Sequence, residues 1–374
     1  LHLDSGARLA ISVNPADYID RTWLRAVEAE TISITGLGTI DGQGQRFMRR
    51  DDRYIYWLDR EHDFRPRLIR LIACKNVTLR DITIIDAPEW TIHPYGCQDV
   101  LIQGIRILNS LKVPNCDGID PDNCRNVRIS DCYIEAGDDC IVIKSGQEYG
   151  PCENITVMGC TLVSTSCALK IGTGPWTTIR DVVFDSCVIK NTNRGLGIQL
   201  RDPGDIENIV FSNMVVETRL FHDAWWGKAE PIHISAVHRS PGSPIGKVRH
   251  IRFSNILCRG ENGAFISGSP DSIIEDVILD NVRIEINKTS KWPGGKHDRR
   301  PPEDDAHLYP YRTAGVFVEH ARDITLRDVE VIWGDNRPAY FGPALECHHV
   351  QGLELRDFKG ESAHPDACPA MIRE

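Results

Sequence analysis

The chain has 374 residues, of which 41% are hydrophobic, and a formal charge of −10, so it holds enough apolar material for a large core. It contains no run of 18 apolar residues that could span a membrane, and an excess of 53 acidic over 43 basic residues disfavours a nucleic-acid surface. Thirteen cysteines, an odd number, cannot all pair within one chain.

The opening segment LHLDSGARLAIS alternates like a strand. It has neither an initiator Met nor the charged, apolar and small order of a signal peptide, so an N-terminal piece is expected to be missing. The compartment stays open: unpaired cysteines lean toward the cell interior.

From residue 75 one short pattern recurs, a polar pair followed by two alternating apolar segments. KNVTLRDITI (75–84), QDVLIQGIRI (98–107), RNVRISDCYI (125–134), ENITVMGCTL (153–162), RDVVFDSCVI (180–189) and ENIVFSNMVV (207–216) begin the series. RHIRFSNILC (249–258), EDVILDNVRI (275–284), RDITLRDVEV (322–331) and QGLELRDFKG (351–360) continue it. The period is about 27 residues, which suits three short strands with turns. Alternation at a spacing of two disfavours helical repeats.

An all-β fold follows, a single-stranded parallel β-helix of about ten or more coils in which each repeat buries its inner face only by stacking. One domain, 1–374, is expected, with loop insertions at 217–248 and 287–313 where the period lengthens. The second insertion, rich in Pro, Gly and charge, lacks alternation and reads as loop. Val77, Val100, Val127, Ile155, Val182, Ile209, Ile251, Val277 and Ile324 should form one buried row. Leu79, Ile102, Ile129, Val157, Phe184, Phe211, Phe253, Ile278 or Leu279, and Leu326 should form another. Cys124 with Cys152, and Cys132 with Cys160 and Cys187, recur at the period and read as stacked free thiols. No CxxC pair or His cluster suggests zinc, so no metal or cofactor is expected.

Charge that the fold does not need gathers in two neighbouring coils. Aligning Ile119 with Ile141 sets Asp117 beside Asp139, with Asp138 adjacent. Three such carboxylates raise at least one pKa, the requirement for a general acid held beside ionised bases. Asp120 and Asp122 read as turn caps.

NCDGIDPDNC (115–124) and GDDCIVIKSG (137–146), supported by GLGTIDGQG (36–44) and WTIHP (90–94), resemble the polygalacturonase family, glycoside hydrolase family 28, over nearly the whole chain. The resemblance implies a right-handed helix. It also implies inverting hydrolysis of a uronate-containing pectic saccharide, of galacturonan or rhamnogalacturonan type, by two carboxyls about 6.5–9.5 Å apart. Asp138 would protonate the leaving oxygen, while Asp117 and Asp139 hold and deprotonate the water.

The departures from the family lie further along the chain. The family's Gly-His-Gly becomes Ser166-Cys167-Ala168, followed by Lys170, and its Arg-Ile-Lys becomes Gln199-Leu200-Arg201. Stacking Ile119, Ile141, Leu169 and Ile198 sets Lys170 and Gln199 on one face beside the carboxylates, as candidate substrate contacts with Cys167 and Arg201. His93 and His233 fall on the same face, and Trp225 with Trp226 in the first insertion could stack on sugar rings. Long loops walling the groove would favour a pocket and exo-action. The expected partner is an acidic oligo- or polysaccharide, with no nucleic acid and no membrane, and the oligomeric state is open. Two alternatives stand beside this reading: a pectate-lyase type enzyme with calcium on its carboxylates, and a non-catalytic carbohydrate-binding β-helix.

Overall fold

The computed structural model describes residues 1–53, 56–59, 64–223, 225–300 and 307–374. It is a parallel β-helix, and the polar pair that opens each repeat explains how its coils turn. The second residue of the pair is left-handed each time: Asn76 (φ 53°), Asp99 (57°), Asn126 (55°), Asn154 (57°), Asp181 (57°) and Asn208 (57°). A second left-handed residue separates the two strand segments of each copy, at Asp81, Gly104, Asp131, Gly159, Ser186 and Asn213. Asn, Asp and Gly bear this conformation at least cost, so the recurring polar residues are conformational switches between straight segments. Their side chains also bond coil to coil. Asn126 Nδ2 donates to Asp99 Oδ1 at 2.9 Å, and Asn208 Nδ2 to Asp181 Oδ1 at 3.0 Å.

Stacking follows the expected rows. Val77, Val100, Val127, Ile155, Val182, Ile209, Ile251, Val277 and Ile324 pair in unbroken parallel register. In the second row Leu279, and not Ile278, partners Phe253. The rings of Phe184, Phe211 and Phe253 stack at 4.7 and 4.9 Å between centroids, their planes nearly parallel. Truncating the middle ring, Phe211→Ala, would remove contacts on both sides and cost about 3–5 kcal/mol. The thirteen cysteines are all free, and twelve are buried.

The third face of the coils positions the site. Its strands are Thr22–Val27, Arg67–Ile72, Ile92–Tyr95, Ile141–Ile143, Cys167–Gly172, Arg194–Leu200, Ile232–Ala236 and Ala264–Ser267. Between Ile92–Tyr95 and Ile141–Ile143 runs the segment 119–122, joined by bridges Ile92 to Ile119 and Ile119 to Ile141.

Two expectations about the insertions are corrected. The stretch 217–248 is not all loop, because Ile232–Ala236 is a regular strand paired with Arg194–Leu200. The stretch 287–313 contains an antiparallel hairpin, Lys296–Asp298 with Leu308–Pro310. Its residues 301–306 lie outside the described residues. No helix is long and apolar enough to cross a membrane among the described residues.

Candidate active site

Two glycines bring the acidic blocks together. A β-carbon at Gly118 would sit 2.4 Å from Cys140 O, and one at Gly137 would sit 2.2 Å from Val113 O, so only glycine lets these coils approach. The bridge Ile119 to Ile141 then sets Asp117 one strand spacing from Asp139. One oxygen from each of Asp117, Asp138 and Asp139 lies within 4.8 Å of the others. At these nearest oxygens the carboxyls come closer than the separation of about 6.5–9.5 Å expected between them. The cause is the fold itself: neighbouring strands lie about 4.8 Å apart, and Asp138 and Asp139 are consecutive residues.

Each carboxyl has different surroundings. Asp139 Oδ1 accepts from Ser166 Oγ (3.0 Å) and the Cys167 amide (3.2 Å), and its Oδ2 accepts from Lys170 Nζ (2.7 Å). Three donors, one an ammonium, are the setting of a carboxylate. Asp138 accepts its own neighbour's amide, Asp139 N, at 3.0 Å, and its carbonyl takes the Ser164 hydroxyl. Burial first, then the charges of Asp117 and Asp139, hold the Asp138 carboxyl well above the usual range. It is 6% exposed, against 3% for Asp117 and 2% for Asp139. Burial and then the charge of Asp120 also raise Asp117, whose Oδ1 has no hydrogen-bond partner.

Asp120 is not the turn cap expected of it. Both of its oxygens are buried without a hydrogen bond, Lys144 Nζ lies 3.5 Å from Oδ1, and burial lifts its carboxyl to about 7. Asp122 bonds across coils instead, accepting the Gly146 amide at 3.0 Å. Lys144 also lies 3.9 Å from Asp117 Oδ2 and 4.5 Å from the centre of the Trp90 ring. Asp117, Asp120, Asp138 and Asp139 thus face two lysines, Lys144 and Lys170. Two protons shared among the carboxyls would leave the cluster neutral, in keeping with the raised values.

The remaining candidates are placed differently from expectation. Leu169 pairs with Leu196, not Ile198, so Gln199 stands opposite Gly172. This two-residue slip keeps Gln199 on the face but moves it about 7 Å along the strand from Lys170. Gln199 Nε2 donates to Arg300 O at 2.9 Å, and Arg201 donates to Leu200 O (3.2 Å) and to Arg299 O. Both are committed to the hairpin that covers them. The Cys167 thiol is buried against Leu169 O (3.3 Å) and Gly195 O (3.7 Å), and only its amide serves Asp139.

His93 and His233 do not face solvent. His93 is a strut between Arg67 (3.2 Å) and Asp122 (3.4 Å), and burial pulls its pKa down to about 4. His233 has Ser235 Oγ at 3.1 Å and the Glu230 carboxylate at 3.6 Å, stacks on Phe265 and is likewise pulled to about 4 by burial. Trp225 and Trp226 stack on each other at 5.3 Å. Trp225 meets the ring of Tyr56 edge-on at 4.4 Å, and Trp226 faces Lys170 Nζ at 5.6 Å. They form a wall beside the carboxylates.

Sequence reasoning missed Lys144, Tyr56 and Trp90. Lys144 was legible, since alternation from Val142 points it outward within the acidic block itself. Tyr56, whose hydroxyl meets Thr165 Oγ1 at 2.9 Å, precedes the repeats and carries no periodic signal.

A buried carboxylate cluster on the outer face of a parallel β-helix, walled by tryptophans, defines a protein of the pectinase β-helix class. The chain belongs to glycoside hydrolase family 28: the family model described as "Glycosyl hydrolases family 28" matches residues 6–292. It is 31% identical over 276 residues to a probable polygalacturonase of Vitis vinifera, covering 70% of this chain and 54% of that one. An endo-polygalacturonase of Pectobacterium carotovorum subsp. carotovorum is 25% identical over 278 residues, with 71% and 66% covered. The chain thus spans little more than half the length of the first of these relatives. In fold it is similar to an exopolygalacturonase of Thermotoga maritima, with a TM-score of 0.67, 22% identity, and 89% and 81% of the two chains covered. The family 28 exopolygalacturonase of Yersinia enterocolitica gives a TM-score of 0.69 at 17% identity, with 94% and 68% covered.

Proposed function

We propose that the chain hydrolyses glycosidic bonds of a uronate-containing, pectic-type saccharide, with Asp138 as general acid and Asp117 and Asp139 activating water. The observation that carries this reading is the contrast between Asp138 and Asp139 within a cluster of three carboxyls that bring oxygens within 4.8 Å of one another. The acid is the most exposed of them and has its proton held by burial and like charge, while Asp139 is held by three donors. Family membership and relatives named polygalacturonase support the substrate class and the inverting outcome.

Calcium-dependent elimination has less support, because Lys144 and Lys170 already supply positive charge at the carboxylates that a cation would need. Exo-action is supported by the hairpin, whose main chain at Arg299 and Arg300 takes the hydrogen bonds of Gln199 and Arg201 and so packs an insertion against the site face. The test is digestion of galacturonan and rhamnogalacturonan oligomers with the first-formed anomer followed by NMR. The inverted anomer is expected; a retained anomer, or an unsaturated product absorbing in the ultraviolet, would overturn the mechanism.

A further inference from the structure

Past Trp90, toward the N-terminal coils, the site face turns basic. Arg21, Arg65, Arg67 and Arg70, with Asp20 and Glu89, line a concavity of about 500 Å³. Four guanidiniums against two carboxylates give this hollow a net charge of +2 in a chain whose formal charge is −10. Several of its groups are satisfied by protein. Arg65 donates to Pro88 O (3.1 Å) and Asn115 Oδ1 (2.9 Å), Arg67 reaches Glu89 (3.4 Å) and lies over the Trp90 ring at 4.2 Å, and Asp20 is taken by Arg25 (2.9 Å).

Arg70 is the exception. Among the described residues it makes no hydrogen bond or ion pair, its Nε is shut off from water without a partner, and its guanidinium stands 5.9 Å from the centre of the Tyr95 ring. Burial and the neighbouring Arg67 both disfavour its charge, and a bound anion would relieve both. Its position ties it to the carboxylate cluster. Arg70 pairs with His93, and Ile92 bridges to Ile119, so Arg70 lies two strand spacings, about 10 Å, from Asp120 along the same face.

We propose that this hollow is an anion-binding subsite, in which Arg70 receives a carboxylate or sulfate carried by a substrate sugar remote from the bond being cleaved. The proposal rests on the glycosidase reading of the carboxylate cluster. A guanidinium fork suits such a planar or tetrahedral oxyanion, and the distance calls for an oligosaccharide longer than a disaccharide.

Calorimetry on the Asp138→Asn chain, titrated with oligogalacturonides of increasing length, tests it. Affinity should step up about tenfold once the oligomer is long enough to reach Arg70. The step should vanish in Asp138→Asn/Arg70→Gln, return in part with Arg70→Lys, and be absent for methyl-esterified oligomers. A sulfated neutral oligosaccharide distinguishes sulfate from carboxylate. The exposed Arg128, changed to Gln, should leave the step intact, and thermal midpoints check that each variant folds. A step that survives Arg70→Gln, or that methyl esters reproduce, overturns the subsite. Cleavage by the unaltered chain is scored in parallel: cleavage without any step sinks the subsite alone, whereas no cleavage of any oligomer sinks the glycosidase reading. Absence of all binding sinks both.

Discussion

Lys170 Nζ donates to Asp139 Oδ2 at 2.7 Å, and both side chains are almost closed to solvent. The pair spans two adjacent coils, so the position of the carboxylate proposed to hold water is fixed by the stacking of the helix. Removing either partner would leave a buried charge uncompensated, which is far costlier than losing an exposed ion pair.

Asp138→Asn should abolish proton donation while leaving the fold intact. We expect kcat to fall by about 10²- to 10⁴-fold with little change in KM, and the thermal midpoint to stay level or rise, since a buried carboxyl among like charges is removed. Steady-state kinetics and calorimetric melting on the same preparation check this. Retained activity would rule Asp138 out as the acid.

Stability should fall as pH rises through neutrality. Asp120 and Asp138 have folded pKa values raised above the unfolded value near 4, so the folded chain binds more protons than the unfolded one between that value and the raised one. Their contribution is present at low pH and lost on the way up, through about 7 for Asp120. Above about pH 7, where the buried His93 and His233 are neutral folded or unfolded and add no opposing trend, melting midpoints should decline up to about pH 8, and Asp120→Asn should flatten the decline. A midpoint that rises over this range would contradict the assignment.

Asp298 anchors the hairpin to the coil. It is buried, lies 3.5 Å from Lys228 Nζ, accepts the Gly227 amide at 2.9 Å and pairs with Arg300 at 2.8 Å. Asp298→Ala should cost about 3 kcal/mol and loosen the cover over Gln199 and Arg201. Galacturonan viscosity should then drop faster per bond cut than with the unaltered chain. An unchanged ratio would mean that the hairpin does not set the cutting mode.

Asn154 tests the turn chemistry. At φ 57° a residue with a β-carbon and no helpful polar group is strained, so Asn154→Ala should destabilise by about 1 kcal/mol, whereas Asn154→Gly should be close to neutral. Denaturant melts of the two variants compare them directly. Equal losses would point to the side-chain ladder instead of the backbone as the source of the preference.

The rows of the core and the meeting of Asp117 with Asp139 were legible because period-two alternation and a repeat near 27 residues leave one good alignment. The position of Gln199 was not. Leu196 and Ile198 both satisfy alternation, so a slip of two residues preserves every inward and outward assignment and is decided only by the chain path between strands. The hairpin was equally hidden: Lys296, His297 and Asp298 show no apolar alternation, and their strand is held by buried charge pairs. The fates of Cys167, His93 and His233 depend on what packs over them, which residues distant in sequence determine.

The buried sulfur rows carry a practical consequence. A chain that holds its shape with thirteen free thiols draws nothing from cross-links, so its melting point should be indifferent to reductants. An oxidant meets first the one cysteine that is not buried, Cys368, at the far end of the chain from the acids. Oxidative ageing would therefore begin at Cys368, and a single Cys368→Ser exchange would remove its point of entry.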